Sequence, residues 1–181
     1  MTDPRQNEAD QAAHPASWQL DPQASSVVFS HKAMWGLATV RSAFTGITGS
    51  GEIEPDGSGH GRLVIDAASF DTKNNTRDKH LRSADFFGTE QHPQIVADIA
   101  VAKRQDDDHA AVTGTLTVAG VTRPLSLTAQ ITESGDNALT LRADTEIDRA
   151  DFGMTWNQLG TIRGKATVSV VARFVKSPAV S

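Results

Sequence analysis

The sequence predicts an all-β domain, built either as a closed up-and-down barrel or as a sandwich. From Trp18 onward apolar and polar residues alternate, so each segment has one buried and one solvent face, as antiparallel strands do. About eight such segments follow one another at the spacing of a meander. Clusters of glycine, proline, aspartate and asparagine separate them, as turns require.

The composition is typical of one globular domain, and it argues against several classes of function. The chain has 181 residues, of which 38% are hydrophobic and 22% charged, enough to bury a sizeable core. Its net charge of -5 argues against nucleic-acid binding, which needs a basic surface. The sequence contains no cysteine, so disulfides, thiolate catalysis and cysteine-bound zinc are excluded.

The two ends of the chain are expected to lie outside the folded domain. Residues 1–16 are polar and predict a disordered leader, residues 17–176 form the predicted β-barrel domain, and residues 177–181 form a tail. The leader lacks the apolar run of a secretory signal, which predicts a cytoplasmic protein. No stretch approaches the roughly 18 apolar residues that a membrane span needs.

The strands of the first half are less regular than those of the second. Residues 27–31 alternate, and residues 39–54 are rich in threonine and glycine, which predicts one long strand with a bulge near 49–51. Residues 63–67 and 95–101 alternate again.

Four regular strands follow, with period two maintained throughout. The alternating segments are 112–118, 125–132, 139–146 and 166–174. Turns are predicted between strands at residues 55–59, 105–108, 119–124 and 134–137.

The stretch NTRDKHLRSADFF at residues 75–87 breaks this period and predicts a helix. Asp78 precedes Arg82 by four positions, the spacing of an ion pair on one helix face, which we expect to be solvated. Asn74, Asn75 or Thr76 could cap its start, and the residues expected to anchor it are Leu81, Phe86 and Phe87. A second short turn is expected near residues 32–37.

Motifs that would indicate catalysis or metal binding are weak. Asp78 and His80 could act as an acid–base pair, but the chain has no nucleophile motif. The histidines stand apart, at positions 14, 31, 60, 80, 92 and 109, without the spacing of a metal site. Neither a catalytic nor a metal site is therefore predicted. The glycine-rich residues 57–61 lie between strands and predict a hairpin loop instead of a phosphate loop.

Any function is therefore expected to involve the apolar faces of the strands. Aromatic residues make up only 6% of the chain, and many inward positions hold alanine, valine, glycine or threonine. An eight-stranded barrel is near the size at which its interior either fills with side chains or holds one small ligand. The pattern alone leaves a packed core and a lined cavity both open.

Three motifs together resemble the YceI-like family of polyisoprenoid-binding or lipid-binding proteins. They are RDKHLRSADFF at 77–87 followed by HPQI at 92–95, GTLTVAGVTRPLSL at 114–127, and EIDRADFGMTW at 146–156. The resemblance covers about residues 18–175. One departure is Ser42, where the family pattern has glycine, and another is the missing export signal, since many relatives are periplasmic.

The resemblance implies a lipocalin-like, eight-stranded antiparallel barrel with one or two short helices. Its lumen would bind an isoprenoid or fatty lipid, such as a polyprenyl phosphate or an isoprenoid quinone, without other cofactors and often in a homodimer. The candidate lumen residues are Phe29, Trp35, Phe44, Ile65, Phe70, Phe87, Ile99, Leu116, Leu127, Leu141, Phe152, Met154 and Trp156. A polar cluster that binds a head group or only stabilises the fold would comprise Arg77, Asp78, His80, Arg82 and Arg149, together with Asp148 and Asp151.

Two other functions stay open from the sequence. One is a small enzyme that acts on an amphiphile through His80 and Asp78. The other is a stress-response interaction module whose barrel is filled with side chains. A continuous apolar cavity would support the lipid-binding hypothesis, and its absence would support the interaction module with a filled barrel.

Overall fold

The computed structural model describes residues 15–33, 37–155 and 165–178, and these contain eleven strands in one antiparallel sheet. The strands are β1 (Ala16–Leu20), β2 (Ser26–Ala33), β3 (Ala38–Phe44), β4 (Ile47–Ile53), β5 (Gly59–Asp66), β6 (Phe70–Asp71), β7 (Gln94–Arg104), β8 (His109–Val118), β9 (Val121–Ser134), β10 (Ala138–Ile147) and β11 (Ala166–Lys176). Leu20 is paired with Phe174 and Ser26 with Val171, so β1 and β2 both run along β11 as one interrupted barrel strand.

The sheet closes on itself because β1 pairs with both β4 and β11. β3 pairs with β2 while β4 pairs with β1, so β3 and β4 also form one interrupted barrel strand. The closed order is β1-β4-β5-β7-β8-β9-β10-β11, and β6 adds a two-residue pairing to β3. The prediction of an eight-stranded antiparallel barrel is confirmed.

The strand predicted over 39–54 bends at a different place from the one expected. The interruption lies at Thr45 and Gly46, between β3 and β4, whereas 49–51 stays within β4. A Cβ on Gly46 would lie 2.8 Å from Asp66 Cβ, so glycine allows the close approach of the chain there. Gly51 has a different role, since a Cβ at that position would meet His60 O at 2.8 Å across the sheet.

The turn predicted over 119–124 is shorter than the sequence suggested. Ala119 and Gly120 both have positive φ, 48° and 77°, which suits the two-residue turn of a tight hairpin. Pro124 therefore lies inside β9, opposite Thr115. The composition predicted the position of this turn correctly, but the turn itself contains only two residues.

The predicted helix, α1, spans Asn75–Arg82. Asn74 caps it, accepting a hydrogen bond from Arg77 N at 3.0 Å. The expected solvated face is wrong in one respect, because Asp78 is buried. A 3-10 helix spans Arg149–Phe152 and is capped by Asp148. Among the described residues, no helix has the length and apolar character that crossing a bilayer requires.

The barrel has two ends of different construction. The turn end carries the connections β4–β5, β7–β8 and β9–β10, at residues 54–58, 105–108 and 135–137. The helix end carries α1, the β8–β9 turn and the 3-10 helix. The main cluster of buried apolar side chains lies in the helix half of the barrel and includes Phe44, Phe70, Phe86 and Phe87. The remaining half is the place where a ligand could lie.

Candidate ligand-binding lumen

The turn half of the barrel encloses an apolar cavity of about 420 Å³, within the usual range of ligand pockets. Most of its wall comes from inward-facing residues of β1, β4, β5 and β7 to β11. The larger apolar residues that line it are Trp18, Ile53, Leu63, Ile99, Val112, Leu125, Leu127, Ile131, Leu139, Leu141, Val170 and Phe174. Gly57 and Gly135, in turns at the turn end, also line the cavity, so it reaches that end of the barrel.

The cavity exists because many inward positions in this half carry little or no side chain. An eight-stranded barrel is just wide enough to be filled by side chains of ordinary size, so small residues leave space at its centre. The small residues that line the cavity are Gly51, Gly59, Gly61, Ala97, Ala102, Ala110, Ala129, Ala143 and Ala172.

A cluster of phenylalanine rings occupies the helix half. The ring centroids of Phe70 and Phe44 are 5.9 Å apart, those of Phe70 and Phe87 are 5.6 Å apart, and the Arg82 guanidinium lies 5.0 Å from the Phe70 ring centre. Phe70 is only 2% exposed. Edge-on and tilted contacts between buried aromatic rings are stabilising, so this packing stabilises the helix half of the barrel.

The structure divides the predicted lumen residues into three groups. Ile99, Leu127 and Leu141 line the cavity. Most of the others belong to the apolar cluster or pack against it, namely Phe29, Phe44, Ile65, Phe70, Phe87, Leu116, Phe152 and Met154. Trp35 and Trp156 lie outside the described residues.

Several lining residues were missed at the level of sequence. Leu125, Leu139 and Phe174 have the same strand parity as residues that the prediction included, so alternation alone would have found them. Trp18 lies in the first strand and is 8% exposed, but it was not among the candidate lumen residues. Alternation gives the face of the strand on which a residue lies, but it does not give the position of that residue along the barrel axis.

The polar residues of α1 lie at the helix end and do not line the cavity. Asp78 Oδ1 accepts hydrogen bonds from Thr72 N at 3.1 Å and Thr72 Oγ1 at 2.6 Å. Arg77 donates to Thr72 Oγ1 and O, at 3.0 and 3.3 Å. Arg82 donates to the carbonyls of Ala68 and Phe70, in place of the ion pair with Asp78 that spacing suggested. These contacts join α1 to the segment that follows β5.

The remaining members of the predicted polar cluster are also at the helix end. The His80 ring packs edge-on against Phe86, with centroids 5.2 Å apart. Asp148 accepts from Ala150 N at 2.9 Å, and the carbonyl of Asp151 accepts from Arg123 Nε at 2.8 Å. Arg149 is close enough to His31 for its charge to act on that ring.

In the described part of the helix half, two polar side-chain atoms are buried on the inner face of β2 and β3 without a hydrogen-bond partner. His31 Nδ1 and Ser42 Oγ have no hydrogen-bond partner among the described residues, and Ser42 is 4% exposed. Burial lowers the pKa of His31 below its ordinary value of 6.5, and the positive charges of Arg77 and Arg149 lower it further.

Because the pKa of His31 is lowered in the folded protein, we expect the protein to lose stability in mild acid. The pKa is lower in the folded than in the unfolded state, so the unfolded state binds the proton more readily once the pH falls below about 6.5. Stability is complete above that pH and declines below it. Melting temperatures at pH 7.5 and 5.5 should differ more for the native protein than for His31→Gln, which lacks this proton site; equal differences would contradict the assignment.

On the outer surface of the described part of the chain, one group of side chains could hold a metal ion. Glu52, Glu54 and His60 present ligand atoms that all lie within 4.8 Å of one another. His60 Nε2 is 3.6 Å from Glu52 Oε2 and 3.3 Å from Glu54 Oε1. All three side chains are at least 37% exposed, and the contacts are those of a surface histidine with two carboxylates. Glu52 and His60 also line a groove of about 560 Å³ on the outside of the barrel.

Comparison with known families matches nearly the whole domain. A model of the YceI-like domain matches residues 18–174. The protein YceI of Escherichia coli O6:H1 is 43% identical over 75 residues, 41% of this chain and 39% of that protein. A UPF0312 protein of Pectobacterium atrosepticum is 37% identical over 98 residues, 51% of this chain and 50% of that protein. The chain thus spans half or less of these curated relatives.

Solved structures show the same fold at low sequence identity. BcnA of Burkholderia cenocepacia superimposes with a TM-score of 0.76 at 19% identity, covering 85% of this chain and 98% of that one. A domain from Saccharophagus degradans, described as polyisoprenoid-binding and implicated in plant cell wall breakdown, has a TM-score of 0.72 at 18% identity. That alignment covers 90% of this chain and 99% of the domain.

Proposed function

Because this chain belongs to the YceI-like family, we propose that it binds and carries a long-chain isoprenoid or similar amphiphilic lipid, with the tail in the barrel lumen. The observation that carries the proposal is the apolar cavity of about 420 Å³ in the turn half of the barrel. A barrel filled with side chains, as expected of a pure interaction module, would have no such space. The description of the Saccharophagus degradans domain as polyisoprenoid-binding supports the same class of ligand.

The lining of the cavity is suited to a hydrocarbon tail. Leucine, isoleucine, valine and alanine provide most of the wall, and none of these side chains needs a hydrogen bond. Each buried methylene contributes about 0.8 kcal/mol, so one five-carbon unit contributes about 4 kcal/mol before ordering costs. Tail burial alone can therefore provide useful affinity.

Selection among tails would depend on the width of the lumen. Neither an isoprenoid nor a straight acyl chain offers a hydrogen bond along its tail, and pocket shape discriminates by only about 1–3 kcal/mol per methylene. The proposal therefore covers polyprenyl phosphates, isoprenoid quinones and fatty lipids. No chemical step is part of it, and the bound lipid is its ligand and not a cofactor.

Native mass spectrometry after incubation with farnesol tests the proposal. Farnesol carries three isoprene units, so we expect a one-to-one complex with micromolar or tighter affinity. The protein as purified is expected to carry an extractable lipid as well. Protein that is empty when purified and takes up no prenyl lipid would contradict the proposal.

A second arm of the experiment addresses catalysis. In the proposed carrier, His80 lies at the helix end and outside the cavity lining, so His80→Ala should bind farnesol with unchanged affinity. If the native protein turns over an amphiphile and His80→Ala does not, the result would favour the enzyme hypothesis instead.

A further inference from the structure

Within the described residues, the cavity extends to the turn end, and this sets where the polar part of a bound lipid would lie. Gly57 in the β4–β5 turn and Gly135 in the β9–β10 turn line it there. At the level of Phe44 and Phe70, the interior holds the phenylalanine cluster instead. A tail that enters from the turn end would leave its head group at that opening.

Among the described residues that line the cavity, Arg104 is the charged residue at this end whose strand position faces inward. A bulge between Ile99 and Val101 shifts the register of β7, after which Ala102 and Arg104 share the inner face and both line the cavity. Arg104 Nη1 donates to Asp107 O, and Nη2 donates to Ser134 Oγ, each at 3.0 Å. These bonds extend the side chain from β7 toward the end of β9.

The guanidinium of Arg104 keeps donors that no described residue uses. Its two hydrogen bonds leave further N–H groups without partners in the described part of the chain. A guanidinium fixed on one side and open on the other is a pre-organised donor for an oxygen acceptor.

The surroundings of Arg104 disfavour an anionic head group. The β7–β8 turn carries three consecutive aspartates at 106–108, Glu54 and Asp56 lie in the β4–β5 turn, and Asp136 lies in the β9–β10 turn. The cations at this end are Lys103 and Arg104 on β7 and Lys176 at the end of β11, so the acidic residues outnumber them. At a separation of about 10 Å in water, each uncompensated charge weakens an anion's binding about twofold at low salt.

We propose that the head group of the bound lipid lies at the turn end and that Arg104 donates a hydrogen bond to an uncharged oxygen of it, such as a hydroxyl or a carbonyl. This inference rests on the proposed function and narrows it to neutral amphiphiles. It makes Arg104 a specificity-determining residue of the lumen, which neither strand pattern nor family motif identified.

Three probes with the same tail test the proposal by isothermal titration calorimetry. They are farnesene, which lacks a head group, farnesol, which has a hydroxyl, and farnesyl monophosphate, which is anionic. We expect the native protein to bind farnesol about five- to tenfold more tightly than farnesene. Farnesyl monophosphate should bind more weakly than farnesol at low salt, and the difference should shrink at 0.5 M salt.

Arg104→Met keeps the aliphatic stem but removes the donors, so farnesol should fall to the affinity of farnesene, which itself should not change. Lys103→Met is the matched control, because it removes the same charge from the outer face of the same strand. Equal effects of the two variants, or no preference for farnesol over farnesene, would overturn the role of Arg104. Tightest binding of the phosphate would overturn the neutral class, whereas failure of all three probes to bind would overturn the proposed function itself.

Discussion

Replacing Ala143 with tryptophan is expected to abolish lipid binding and leave the barrel folded. Ala143 lies on β10 opposite Val170, and both residues line the cavity. The indole would occupy space that the tail needs. Excluding one five-carbon unit costs about 4 kcal/mol, which corresponds to roughly a thousandfold loss of affinity. Titration with farnesol measures the effect.

The control for this variant places the same side chain outside the barrel. Ser126 is exposed on β9, so Ser126→Trp adds an indole without entering the lumen. We expect farnesol affinity to stay within about twofold of native there. Melting temperatures of both variants should remain near native, because Ala143→Trp fills existing space. Normal binding by a folded Ala143→Trp protein would show that the lumen is not the binding site.

Phe70→Ala is expected to cause the largest loss of stability. Phe70 is 2% exposed and packs against Phe44 and Phe87, with Arg82 over its ring. Truncating a buried phenylalanine costs about 3–5 kcal/mol, because contacts are lost and a cavity remains. For a chain of this length that lowers the Tm by roughly 6 to 20 °C. Chemical or thermal unfolding followed by circular dichroism measures it.

Leu37→Ala provides the comparison for an apolar residue that is not buried. Leu37 is 85% exposed, so its truncation should change the free energy of unfolding by less than about 0.5 kcal/mol. A loss of under about 1.5 kcal/mol in Phe70→Ala would contradict the view that the helix half is tightly packed. Farnesol binding by Phe70→Ala at a temperature where it is folded would show that the two halves have separate roles.

Features that depend on neighbouring residues along the chain were predictable. Alternation at 112–118 and 139–146 predicted strands that the structure contains, because side-chain direction in a strand repeats every two residues. Asn74 was among the predicted helix caps for the same reason, since capping involves only the next few backbone amides. The interruption at Gly46 was not predictable, because it depends on contact with Asp66.

By itself the sequence determined that this chain forms antiparallel strands, one capped helix and a domain with YceI-like motifs. Only the tertiary structure decided that the barrel is hollow at the turn end and filled at the helix end. Free volume depends on which inward side chains meet at one level of the barrel, and Gly61, Ala97, Ala143 and Ala172 come from four different strands. The bulge in β7 likewise decided that Arg104 faces the opening. These are relations between distant residues, and periodicity along the chain does not contain them.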